Sequence, residues 1–262
     1  MRMKNKKLIA AFCVAIVLVV AMVAAYFLLN KQDDETKKYS VGLYLQAEGD
    51  DCNDISGYEV VIVDAAYFTK EQIQTLCENN GDVYSYINIG SLEDFRTYYD
   101  DFFDITLSDY EGWEEERWID VSVVEWQNFC IDLGKEYLDK GVDGLFIDNT
   151  DVYYMYETDD MYNGLISILS ALSKETNLVI NGGDVFINRL IDEGILTDYV
   201  YAINQESAFS DEEYYLPYIE KVNEYGVKVF LTEYHINEDT EEKLDKYCDK
   251  HGFLYCVLEE ED

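Results

Sequence analysis

The chain has 262 residues, 48% of them hydrophobic and 15% aromatic, so it can bury a core and is too apolar to stay disordered. Its formal charge is −36, and residues 39–262 hold 12 Lys/Arg against 52 Asp/Glu, a net of −40. A surface this negative argues against nucleic acid as a partner and favours neutral or cationic ligands through long-range attraction.

Arg2, Lys4, Lys6 and Lys7 precede an uncharged apolar run of 22 residues, 8–29. A helix needs about 20 residues to cross a bilayer, and flanking basic residues hold that end in the cytoplasm. The expected organisation is a cytoplasmic segment over 1–7, a single-pass transmembrane signal-anchor over 8–29, a stalk over 30–39 and an extracellular domain over 40–262. The partner of the anchor is then the lipid bilayer of the cell membrane. A cleaved signal peptide, with Val23-Ala24-Ala25 as the small-residue site and a secreted product, is the competing reading. Cys52, Cys77, Cys130, Cys248 and Cys256 follow at irregular spacing without a CxxC. They read as small buried apolar residues, with one or two disulfides open if the compartment is oxidising.

From residue 41 a rhythm of short apolar runs begins: 41–45, 60–63, 83–87, a weak one at Trp118-Ile119, then 145–147, 178–180, 199–203, 227–231 and 253–258. Helical patterns fall between most of them, over 70–79, 123–140, 161–174, 185–193, 212–225 and 240–251. Alternating strands and helices predict a parallel sheet with helices outside. The length suits an α/β (β/α)8 TIM-like barrel, about 250 residues, behind the N-terminal transmembrane helix. Nine strand signals compete for eight places, and the first or last is expected to be the extra one. A doubly wound open sheet is the alternative, but no Gly-rich phosphate loop follows any strand.

In a parallel barrel, the last side chain of each strand reaches the face where ligands bind. Asp64, Asn88, Asp120, Asp148, Asn181, Glu206 and the pair Glu233-Tyr234 all follow apolar runs. Asp148, in Gly144-Leu145-Phe146-Ile147-Asp148-Asn149-Thr150-Asp151, stands out; a helix cap is its bland reading. Asp148 with Asp151 could hold Ca2+ through oxygen ligands, but no EF-hand spacing is present. His235 and His251 come late and suggest no nucleophilic triad, and no Cys/His metal spacing occurs; no metal and no cofactor is expected. Paired carboxylates with aromatics nearby are the equipment of glycoside hydrolysis, in which one carboxyl protonates the leaving oxygen and another attacks or activates water.

At these residues the chain resembles glycoside hydrolase family 114, the endo-α-1,4-polygalactosaminidase-like TIM barrels, over about residues 40–258. The resemblance is carried by Tyr86-Ile87-Asn88-Ile89-Gly90 through Glu93-Asp94-Phe95-Arg96, by Arg117-Trp118-Ile119-Asp120-Val121 with Glu125-Trp126, and by 141–151. Asn181-Gly182-Gly183, Glu206-Ser207 and Glu233-Tyr234 follow in the family's order. The chain departs from the family's usual residues at Ser91 and Glu233. The resemblance implies Asp148 as nucleophile and Glu206 as general acid/base, or the reverse, with net retention. It implies a sugar site lined by Tyr44, Asp64, Tyr86, Asn88, Asp120, Asp151, Asn181, Glu233 and Tyr234. The expected activity is extracellular, membrane-anchored endo-hydrolysis of a galactosaminoglycan-like polysaccharide, whose ammonium groups the −40 domain would attract. Repulsion from Asp148 would help keep Glu206 protonated. A non-catalytic barrel tethering matrix polysaccharide to the cell surface is the alternative, and a structural envelope subunit a third.

Overall fold

Runs rich in Val, Ile, Leu and aromatics with both faces apolar form strands that bury both sides, which only a parallel sheet covered by helices allows. The computed structural model describes residues 39–259, and its strands, numbered in chain order, are β1 (Val41–Tyr44), β2 (Val60–Val63), β3 (Asp82–Asn88), β4 (Ser91–Glu93), β5 (Thr106–Tyr110), β6 (Trp113–Ile119), β7 (Gly144–Asp148), β8 (Asn177–Asn181), β9 (Ala202–Glu206), β10 (Lys228–Tyr234) and β11 (Leu254–Leu258). Eight of these make one parallel sheet in the order β1-β2-β3-β7-β8-β9-β10-β11. Residues of alternate parity from every one of the eight meet in a single interior cluster, including Leu43, Ile62, Tyr84, Phe146, Val179, Ala202, Phe230 and Cys256. Side chains from β1 and β11 sharing one core means that the sheet is rolled into a barrel. Among the described residues no ladder joins β1 to β11, so that seam is closed by side chains rather than by backbone pairing.

The opposite parity, with Val61, Val63, Leu145, Ile147, Ile180 and Leu231, packs outward against the helices. These are α1 (Lys70–Asn79), α2 (Val124–Lys140), α3 (Asp159–Leu172), α4 (Asp184–Glu193), α5 (Glu212–Glu224) and α6 (Glu238–His251), besides short helical turns. Local chemistry sets their ends. Thr69 and Gln72 form a reciprocal capping box at the start of α1, and Gly141, at φ 109°, ends α2. Between β1 and β2 a 3-10 turn, Gly49–Asn53, replaces the helix.

The surplus strand signal is neither the first nor the last. β1 and β11 are both barrel strands, and Trp118-Ile119 belongs to β6, which pairs antiparallel with β4 and β5 in a separate three-stranded sheet. The hairpin turns at Gly112, whose φ is +97°, and β6 is exposed at Trp113–Glu115 and buried only at Trp118 and Ile119. That apolar end reads as a strand, but its polar remainder suits a sheet with one wet face. This insert fills the connection between β3 and α2.

The five cysteines of the described residues are all free. Among the described residues no helix is long and apolar enough to cross a membrane. The expected anchor over 8–29 and its flanking segments through residue 38 lie outside the described residues.

Candidate active site

β7 to β10 share one device. Each ends in an inward side chain, Asp148, Asn181, Glu206 or Tyr234, and the next residue is left-handed: Asn149 at φ 62°, Gly182 at 60°, Ser207 at 49° and His235 at 51°. Left-handed non-glycine backbone costs on the order of 1–3 kcal/mol and persists where its surroundings fix it. Here it turns the chain away from the barrel axis as soon as the functional side chain has been delivered. At Asn149 the surroundings are tight: a Cβ on Gly90 would stand 1.7 Å from the Asn149 carbonyl oxygen.

The four side chains edge a cavity of about 750 Å³ at this end of the barrel, together with Tyr86, Asp64 and residues of the insert. At its floor the Asn181 amide nitrogen donates to both carboxylates, to Asp148 Oδ1 at 3.0 Å and to Glu206 Oε1 at 2.8 Å. The two bonded oxygens therefore lie no farther apart than those distances laid end to end; carboxyl groups of retaining pairs stand about 5–5.5 Å apart and those of inverting pairs about 6.5–9.5 Å. Asn181 is itself held: its Oδ1 accepts from Asn204 Nδ2 at 2.8 Å, and Asn204 Oδ1 accepts from the Thr232 hydroxyl at 3.0 Å. Burial raises the Asp148 carboxyl above its ordinary range, opposed by hydrogen bonds from Asn181 and Tyr86. Tyr86 donates to Asp148 Oδ2 at 3.0 Å and also lies 3.1 Å from Glu93 Oε1. Burial and these carboxylates push its phenol up, so it keeps the proton it donates.

The other expected residues separate by parity and by sheet. Asp64 reaches the cavity, but its Oδ2 pairs with Arg96 Nη1 at 2.6 Å and its Oδ1 accepts from Ala66 N at 2.9 Å. Asn88 sits beneath the wall, where Oδ1 takes the Ser91 amide at 2.9 Å and Nδ2 donates to Ser91 Oγ at 2.7 Å. Asp151 is behind β8, accepting from Gly183 N at 3.1 Å; burial, then Asp148, pushes its carboxyl up to about 7. Tyr44 and Glu233 fall on the outward parity of their strands and do not line the cavity. Tyr44 meets Tyr58 through their hydroxyls, and Glu233 accepts from Phe209 N at 3.0 Å, pinning the turn after β9. Asp120 follows β6 rather than a barrel strand; it accepts from Ser122 N and Oγ at the approach to α2 and stays out of the cavity.

The chain belongs to glycoside hydrolase family GH114. The family's model matches residues 29–257, and membership makes the chain a glycoside hydrolase by class. Its described fold is similar to the glycoside hydrolase domain of PelA from Pseudomonas aeruginosa, at TM-score 0.69 and 18% identity over 83% of this chain and 93% of that one. It is also similar to Ega3 from Aspergillus fumigatus, solved as a complex with galactosamine, at TM-score 0.68 and 18% identity over 85% and 90%. An uncharacterized protein of Thermotoga maritima is 24% identical over 137 residues, 48% of this chain and only 41% of that relative.

On this GH114 barrel the insert adds residues that the strand-end pattern passes over. Arg96 bridges Asp64 and Glu93, its side chain only 8% exposed. Glu116, from the middle of β6, lines the cavity and accepts at one oxygen, Oε2, from Ser91 Oγ, Asn88 Nδ2 and Asn149 Nδ2. Burial pushes its carboxyl up to about 7. In sequence Glu116 belongs to the acidic run Glu114-Glu115-Glu116, which reads as a solvated face. The signal that finds it is the Gly112 turn flanked by Thr106–Tyr110 and Trp113–Ile119, a hairpin in which Glu116 shares a face with Trp118. Among the described residues the walls carry seven carboxylates against one cation, Arg96, which is already bridging two of them. Tyr67, Phe95 and Trp113 stand at the cavity 44%, 55% and 39% exposed.

Proposed function

We propose that this chain is a retaining endo-glycosidase acting on a galactosamine-containing polysaccharide, with Asp148 as nucleophile and Glu206 as general acid/base. The observation that carries the reading is the single amide nitrogen of Asn181 shared by both carboxylates. It holds them at the close spacing of a double displacement, in which no water need fit between attacking group and sugar. An Asp148 oxygen bonds the anomeric carbon as the glycosidic C–O bond breaks, and Glu206 gives its proton to the departing oxygen. Water then attacks the glycosyl-enzyme, the bond to Asp148 breaks, and Glu206 takes the water's proton. A buried Asp148, poorly solvated and held among the described residues by the neutral side-chain donors Asn181 and Tyr86, gains most when positive charge develops at the anomeric carbon.

The excess of wall carboxylates over cations supports an ammonium-bearing polymer, since like-charged walls focus the field on a cation. The galactosamine named for Ega3 is in keeping with this. The three exposed rings offer faces on which sugar rings stack. The same proposal includes a membrane-anchored, extracellular location through residues 8–29, supported by the apolar run and the basic residues before it.

The test is hydrolysis of partly deacetylated galactosaminogalactan by the full-length chain, with products read by mass spectrometry and the anomer first released read by proton NMR. Oligosaccharides of retained configuration are expected, with kcat reduced by at least about 10³ in Asp148→Asn and Glu206→Gln. An inverted first product removes the double displacement, and binding without cleavage by all three proteins replaces it with the tethering reading.

A further inference from the structure

The Asn181 amide is the end of a chain of polar groups that runs around the inside of the barrel. Cys256 Sγ donates to Thr232 Oγ1 at 3.5 Å, Thr232 Oγ1 to Asn204 Oδ1 at 3.0 Å, and Asn204 Nδ2 to Asn181 Oδ1 at 2.8 Å. One residue comes from each of β8, β9, β10 and β11. The ladders set Asn181 beside Asn204 and Thr232 beside Cys256. Thr232, Asn204 and Cys256 are each 1% exposed. Buried polar groups in an interior otherwise filled by aliphatic and aromatic side chains cost stability unless fully bonded, and none of the three lines the cavity.

Asn181 alone has two amide orientations. With Nδ2 toward the carboxylates, two N–H groups meet two acceptor oxygens. With Oδ1 there, its lone pairs oppose those oxygens unless one of them carries a proton. Glu206 gains and loses a proton in every cycle, so an unrestrained Asn181 could turn over whenever Glu206 is protonated. It would then accept that proton from Oε1–H, away from the glycosidic oxygen. The chain opposes this. A turned Asn181 would set Nδ2 against Asn204 Nδ2, and a turned Asn204 would set Nδ2 against the single hydroxyl proton of Thr232. The sulfur that the Thr232 proton would then have to face is a weak acceptor.

We propose that Thr232 and Asn204 are positioning residues that lock the Asn181 amide with its N–H groups on Asp148 Oδ1 and Glu206 Oε1, so that whenever Glu206 carries a proton it carries it on Oε2. This rests on the reading of Asp148 and Glu206 as the catalytic pair. The transferred proton leaves Oε2 for the glycosidic oxygen as that C–O bond breaks. It is replaced on Oε2 by the proton of the attacking water.

The first test needs neither substrate nor variant. In full-length wild type labelled at Asn side-chain nitrogen and Asp/Glu carboxyl carbon, the Asn204 amide signal should move with the same apparent pKa values as the coupled pair, although Asn204 touches neither carboxylate. An Asn204 signal that stays flat while the pair titrates overturns the proposal. The second test compares Thr232→Val with Thr232→Ser. The valine variant should lose about 10- to 100-fold in kcat, the scale for outer partners that orient a reactive ligand at metal sites. Its KM should change less than twofold and the acid limb of its pH profile should move, while serine restores both. Valine activity and pH profile equal to wild type, or a loss that serine fails to restore in a folded protein, overturns it. A polymer left uncut by wild type counts against the proposed substrate, and the carboxyl titration still decides the relay.

Discussion

Strands β7 to β10 each deliver one inward side chain from their last residue and turn away through a left-handed position. The β4–β6 insert instead leans over the same cavity and reaches it from the middle of a strand, as with Glu116. The barrel strands are placed by parallel ladders on both flanks. The insert holds itself together by its own antiparallel ladders and is tied to the barrel by side-chain bonds: Arg96 to Asp64, and Asn88 and Asn149 to Glu116. Backbone pairing within the barrel sheet fixes the groups proposed to react, and polar side chains fix the insert's groups against that barrel. Changes in the insert should therefore act on stability and KM, and changes at the barrel ends on kcat.

The severest break in that division is Arg96→Met. It strands Asp64 and Glu93 in a buried site, and removing one partner of a buried ionic cluster costs about 3–5 kcal/mol. Urea unfolding should show a loss of that size, and a loss under about 1 kcal/mol would mean the insert is held by something else. A smaller effect comes from pH. The carboxyls of Glu116, Asp151 and Glu233 are all raised to about 7 by burial. A raised acid binds its proton more tightly in the folded state. Its contribution to stability is thus complete below the ordinary carboxylate range and is lost as pH rises through about 7. Tm should fall from pH 5 to pH 8. Glu116→Gln should raise Tm at pH 8 by at least about 2 °C, the shift per kcal/mol for a domain of this size, and leave it unchanged at pH 4. Glu116 is half-buried, so solvent screens part of the effect. An unchanged Tm at pH 8 would show that Glu116 contributes nothing to the pH dependence.

The smallest expected effect distinguishes the barrel-end turns from one another. Ser207→Gly relieves a left-handed residue at φ 49° but adds chain entropy, so it should stabilise by no more than about 1 kcal/mol. Gly182→Ala should do the reverse, because φ is +60° and the new Cβ would stand 2.9 Å from Asp151 Oδ2. Equal effects at both sites would mean the left-handed turns carry no strain.

The same division explains what could be read from residue order. Asp148, Asn181 and Glu206 were legible because a short apolar run closed by a polar residue marks both the end of a strand and the direction of its last side chain. Tyr44 and Glu233 were misplaced by one residue of parity, which in a strand means the opposite face. Asp120 followed a run that belongs to the insert. Glu116 was hidden because an acidic run on an edge hairpin looks the same whether one of its carboxylates faces water or a cavity. The relay through Asn204 and Thr232 needed the ladder register, since nothing in the order of residues says that 181, 204, 232 and 256 share one ring of the barrel.

The side-chain seam between β1 and β11 gives the barrel a preferred place to breathe. Among the described residues no ladder joins β1 to β11, whereas ladders join the other seven junctions, so the seam can part without unzipping one. In deuterated solvent the amide protons of β1 and β11 should exchange well ahead of those in β7, β8 and β9. A stave that opens this way lies on the far side of the hoop from β7, so the barrel can flex while Asp148 and Asn181 keep their register.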